Sequence, residues 1–92
     1  MTTDVDKVLD ERGSRYGTFE GHAAIAQSLK MIVRTNLVAR NKCLKASQQE
    51  ALDMIMHKVA RIINGDPNYV DSWVDIAGYA KLIADELEGN ER

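Results

Sequence analysis

The stretch Ser47-Gln48-Gln49-Glu50-Ala51-Leu52-Asp53-Met54-Ile55-Met56-His57-Lys58-Val59-Ala60-Arg61-Ile62-Ile63-Asn64-Gly65-Asp66-Pro67-Asn68 decides the fold. Leu52, Ile55, Met56, Val59, Ile62 and Ile63 recur at the spacing that keeps side chains on one helical face. Ser47 and Glu50 have the form of a capping box, in which the serine oxygen accepts a backbone N–H and the glutamate reaches back to the cap. Asn64-Gly65 predicts the helix stop, and Asp66-Pro67-Asn68 a short turn. Asn68 then predicts the N-cap of a further helix. Its apolar stripe is Trp73, Ile76, Ala77, Ala80, Ile83, Ala84 and Leu87, closed by Gly89. So short a connection predicts an antiparallel hairpin.

Toward the N-terminus the same periodicity continues. Val5, Val8 and Leu9 mark a short helix that Gly13 is expected to stop, and Gly13-Ser14-Arg15-Tyr16-Gly17 reads as a turn. Ile25, Leu29, Ile32 and Val33 mark a longer helix, followed by a polar, basic connection from Ala39 to Ala46. No two-residue apolar alternation suggests a strand. The chain therefore reads as one all-α domain over residues 1–92, with helices near 3–12, 21–38, 48–63 and 69–88.

Apolar residues at 45% and charged residues at 28% are the balance of a folded chain, not of a disordered one. With 92 residues the core is marginal, so packing into a homo-oligomeric helical bundle is expected. The formal net charge of −2 argues against binding a nucleic-acid polymer, which needs a basic surplus. The one basic cluster, Arg34 to Lys45 with Arg40 and Lys42, reads as a solvated loop. Cys43 is the only cysteine, so no intramolecular disulfide or cysteine-rich metal site forms. No apolar run is long enough for a bilayer and no secretory leader is evident, so no membrane partner and a cytoplasmic location are expected.

The charges form the second pattern. Glu50, Asp53, His57 and Arg61 fall on one stripe of the third helix, and Asp71 and Asp75 on one side of the fourth with Tyr79 beside them. Four carboxylates on neighbouring helices, Glu50, Asp53, Asp71 and Asp75, are candidate ligands for Mg²⁺, a hard cation that takes oxygen donors. Lys58 and Arg61 are candidate phosphate contacts. His57 and Lys58 are the candidate catalytic groups, His57 as a general base. Tyr79 is the better candidate to stack on a base, whereas Trp73 lies on the apolar stripe and is expected in the core. Arg12, Arg15 and Tyr16, in the glycine-flanked turn, could clasp an anion or a base.

A purely structural account competes with each of these. Glu50 serves the capping box, and Asp71 favours the dipole of a helix start. A hairpin centred on Asp66-Pro67 sets Lys58 level with Asp75 and Arg61 near Asp71, as salt bridges worth about 0–1 kcal/mol at a surface. That register offsets Asp53 from Asp75 by roughly five residues, or ~7.5 Å. His57 on a polar stripe reads equally as a solvated or ion-paired histidine.

Taken together, Glu11-Arg12-Gly13-Ser14-Arg15-Tyr16-Gly17, the run from Glu50 to Ile62, and Gly65-Asp66-Pro67 with Asp71-Ser72-Trp73-Val74-Asp75-Ile76-Ala77-Gly78-Tyr79-Ala80 resemble a family. It is the family of small proteins of tailed phages and prophages numbered 6378 among the domains of unknown function. That family in turn resembles, distantly, the all-α MazG-like nucleoside triphosphate pyrophosphatases. The resemblance implies homo-oligomers that bind Mg²⁺ through paired ExxE and ExxD motifs and cleave nucleotides to monophosphate and pyrophosphate. Glu50-x-x-Asp53 stands at the first motif and Asp71-x-x-x-Asp75 at the second. The second pair is spaced by four, and Ser72 stands where its glutamate is expected. The implied function is nucleotide binding, with or without hydrolysis, in an infected bacterial cytoplasm. The alternative is a non-enzymatic phage accessory protein that binds and inhibits a host or anti-phage defence protein.

Overall fold

A computed structural model describes residues 3–90 and 92. Among the described residues the chain is all-α, with four helices and no strand: α1 (Asp4–Tyr16), α2 (Phe19–Ala39), α3 (Ala46–Asn64) and α4 (Val70–Leu87). None of them is long and apolar enough to cross a membrane.

The helix starts follow local chemistry. Thr3 and Asp6 form a reciprocal capping box on α1. Thr18 accepts the Gly21 N–H to begin α2. The α3 start departs from the sequence expectation. The helix begins one residue before Ser47, and the Gln48 side chain accepts the Lys45 N–H at 3.0 Å. Ser47 is thereby released from capping, and its hydroxyl donates to Glu86 on α4 at 2.7 Å. Glu50 is left free of the box. Asn68 is likewise not the cap of α4: its N–H is taken by the Asp66 carboxylate, and Tyr69 occupies the cap position. Gly13 does not stop α1 either. The helix runs through it to Tyr16, and the turn falls at Gly17, whose φ of +78° is the left-handed region that glycine tolerates.

α3 is the central element, packed on α2 along one flank and on α4 along another. Small side chains set these contacts. Ala26, Ala51 and Ala60 are buried, with Met56 the one large apolar side chain among them. Lys58 (8% exposed), Ser72 and Asp85 are buried polar residues.

The inward side of α4 is rotated from the sequence expectation: of the expected stripe, Ile76 and Ile83 stay inward while the rest turns out. Ser72 is buried, and Asp75, Ile76, Tyr79, Ile83 and Glu86 are half-buried, while Trp73 (54% exposed), Ala77, Ala80, Ala84 and Leu87 (60% exposed) face outward. Trp73 is therefore not a core residue; its indole N–H donates to the Pro67 carbonyl at 2.9 Å. The apolar stripe on α1 is exposed too, at Val5, Val8 and Leu9, as are Leu52 and Ile63 on α3.

Candidate functional site

A clasp of backbone and glycine joins α1 and α2 to the end of α3. The Asn64 amide donates to the carbonyls of Tyr16 (2.8 Å) and Thr18 (2.7 Å), and the Asp66 N–H donates to the Arg15 carbonyl at 2.7 Å. A Cβ at Gly65 would strike that carbonyl, so the approach requires glycine there.

The clasp stacks four side chains from three parts of the chain. The Arg61 guanidinium lies 4.6 Å from the Tyr16 ring centre and that of Arg15 lies 4.5 Å from Tyr69. The two tyrosines meet edge to face at 5.9 Å. A guanidinium thus lies on each tyrosine of the pair, attracted by the ring quadrupole. Arg15 also pairs with Glu11 at 3.5 Å, a pair exposed enough to contribute little.

One turn along α3 from Arg61, His57 faces α2. Its Nδ1 lies 3.2 Å from Nε2 of His22, and its Nε2 lies 3.0 Å from the Lys30 ammonium. The two imidazoles are nearly parallel, 18° apart. The proton positions follow from the partners. An ammonium can only donate, so His57 Nε2 is an acceptor and its proton sits on Nδ1. That proton is donated to His22 Nε2, which leaves His22 protonated on its other nitrogen. Both imidazoles are thus neutral. Burial holds His22 below the ordinary 6.5, with His57, Arg61, Lys30 and Lys58 adding to the effect. His57 is lowered first by burial, then by Lys30 and Arg61, with Asp53 pulling the other way.

The sequence candidates divide between two flanks of α3. Asp53, His57 and Arg61 lie along the α2 side, where the Gln49 amide donates to Asp53 at 3.0 Å. Lys58 lies on the α4 side and pairs with Asp75 at 3.0 Å, as the register predicts. Arg61 does not approach Asp71 as a salt bridge, because it is drawn over Tyr16. Asp71 is exposed beside Tyr69 and, as its hydrogen-bond partner, pushes the phenol above its ordinary value. Glu50 is exposed, and half-buried Tyr79 shares a shallow groove with it, Ser47 and Glu86. A second groove beside it holds Asp75, Tyr79 and Lys81. Arg12 is exposed at a hollow under α1 with Val5, Val8 and Leu9.

The four carboxylates proposed for Mg²⁺ do not converge within one chain. Asp53 accepts from Gln49 and Asp75 pairs with Lys58, while Glu50 and Asp71 are exposed. Among the described residues, no three His, Cys, Asp or Glu side chains gather closely enough to hold a metal ion.

His22 and Lys30 were not among the sequence candidates. Their signal is the four-residue spacing His22, Ala26, Lys30, which places both on the face of α2 whose centre, Ala26, is 1% exposed. It matches the spacing Asp53, His57, Arg61 on α3.

A small all-helical domain with a cationic, histidine-bearing seam between its second and third helices is the class that fold and site define. The chain belongs to the family described as a domain of unknown function, DUF6378, whose model matches residues 1–87. No curated protein and no solved structure matches it significantly.

Proposed function

We propose that the protein binds the phosphates of a nucleotide at the seam formed by His22, Lys30, His57 and Arg61, with Tyr16 and Tyr69 beside it as stacking surfaces. The carrying observation is the contact of Lys30 with His57 and His57 with His22. Lys30 forms no salt bridge among the described residues, and its nearest ring partner is kept neutral rather than anionic. Asp53 is the one carboxylate acting on His57, against Lys30, Arg61 and Lys58, so cations are in excess at the seam, which costs stability that an anion restores. The grooves along α4 set Glu50, Asp75, Asp85 and Glu86 against Lys81 and Arg92, so neither has the cationic surplus that phosphate needs.

The nucleotide context and an oligomeric state come from the distant resemblance to all-α triphosphate pyrophosphatases, and phage origin and a bacterial cytoplasm from the resemblance to small phage and prophage proteins. In this reading α3 and α4 form an antiparallel hairpin, tied by Lys58–Asp75 and Ser47–Glu86. A bound phosphate draws the Lys30 ammonium away and leaves His57 Nε2 free to accept a proton. Mg²⁺ enters as the counter-ion of the nucleotide.

Calorimetric titration with pyrophosphate and a panel of nucleoside and deoxynucleoside triphosphates, with and without Mg²⁺, tests the proposal. Saturable binding that Lys30→Met weakens supports it. No binding by any of these ligands overturns it. Product analysis of the same mixtures shows whether cleavage follows.

A second reading, an accessory protein that binds and inhibits a host or defence protein, is favoured by the exposed apolar side of α4.

A further inference from the structure

The outward side of α4 carries Val70, Trp73, Ala77, Ala80, Ala84 and Leu87, and all six are exposed. Their spacing alternates three and four residues over the whole helix. This is the seam by which two helices pack side by side, and it is not the side that α4 turns to α3.

The chain also exposes more surface than a finished monomer does. Its accessible surface is 6756 Å² at 10.3 kDa, against about 5,400 Å² for a compact monomer of that mass. Its radius of gyration is 15.6 Å, where about 12 Å is usual for the length. The excess of about 1,400 Å² exceeds the ~800 Å² that each partner of a standard stable complex buries.

We infer that this seam is covered by the same seam of a second copy, running antiparallel about a two-fold axis between Ala77 and Ala80. The sizes of the side chains select that arrangement. Antiparallel pairing sets Val70 opposite Leu87, Trp73 opposite Ala84 and Ala77 opposite Ala80. Each large group meets a smaller or unlike one, and the two central alanines let the helices approach closely. Parallel pairing would set Trp73 on Trp73 and leave three successive alanine layers underfilled, which loses contacts on both sides. A two-fold interface must complement itself, and this sequence of sizes does so in only one direction. The inference takes up the self-association of the proposed function and names its face. It rests on the surface of α4, not on the nucleotide.

Sedimentation velocity of the full chain, without nucleotide, is the test. The expected result is a dimer at micromolar concentration. Ala80→Glu places a charge at the axis and is expected to give a monomer with unchanged helical circular dichroism. Orientation is read in a Cys43→Ser background. Mixed Val70→Cys and Leu87→Cys chains are expected to form a disulfide between unlike copies, and Val70→Cys alone none. A wild-type monomer throughout, or a dimer unaffected by Ala80→Glu, overturns the inference. So does self-linking of Val70→Cys. If Ala80→Glu unfolds the chain, Ala77→Gln and Ala84→Gln supply the same reading, since each fills the seam without a charge. Phosphate binding by a monomeric Ala80→Glu chain separates failure of this face from failure of the nucleotide site.

Discussion

Nε2 of His22 stands 3.2 Å from Nδ1 of His57, so one ring must donate to the other, and the two cannot both take a second proton without breaking the contact. The Lys30 ammonium on the far nitrogen of His57 fixes the direction of donation. Three side chains from two helices thus hold one pattern of protons.

Stability should fall as the solution is made acidic. Both histidines are held below 6.5 in the folded chain, so the unfolded chain binds protons first. Their contribution is fully present above about pH 6.5, the unfolded value, and is lost as pH falls from there through the folded values. Urea midpoints between pH 7.5 and 5 should decline in the wild type and decline less in His22→Gln. Equal slopes would show that the pair does not carry the effect.

Phosphate affinity should move the opposite way. An anion favours the protonated rings, so pyrophosphate should bind more tightly at pH 6 than at pH 8. Lys30→Met and His57→Asn should each weaken binding about tenfold, on the order of 1.4 kcal/mol. Calorimetry at the two pH values reads both effects.

Asp75 should matter to stability more than to binding. Lys58 is 8% exposed, and its ammonium is answered by Asp75 alone among the described carboxylates. Asp75→Asn leaves a buried cation without its counter-charge and should cost about 1–3 kcal/mol, less than in a fully dry pair because Asp75 is half in solvent. Lys58→Met removes the cation and should cost less. Chemical denaturation ranks the two, and nucleotide titration of Asp75→Asn should match the wild type.

Asn64→Ala should destabilise by about 1–3 kcal/mol, since the carbonyls of Tyr16 and Thr18 lose their shared donor. Thermal melting followed by circular dichroism measures it. Gly65→Ala should cost more, because its Cβ meets the Arg15 carbonyl, a backbone atom that cannot swing aside.

The periodic runs place four helices at sight, and the pairing of Lys58 with Asp75 follows from where the turn falls. What the runs do not reveal is which stripe meets which neighbour. α4 carries an apolar stripe, yet its mixed side, with Ser72 and Tyr79, is the one turned to α3. A stripe reports that some surface covers it, not whose. Ser47 misled for a local reason: Gln48 serves Lys45 equally well, which shifts the start by two residues. His22 and Lys30 stayed hidden because their partners are 35 and 27 residues away, and only packing joins them.

The Asn64 clasp has a kinetic consequence. It joins residues 46 and 48 positions apart, farther than the 39 between Ser47 and Glu86. Contacts between neighbouring helices close short loops and form early, whereas the clasp must wait for α2 and α3 to be in place. α1, held mainly at its last turn, is therefore expected to join last and to open first. Its amides should exchange hydrogen for deuterium well before those of α3.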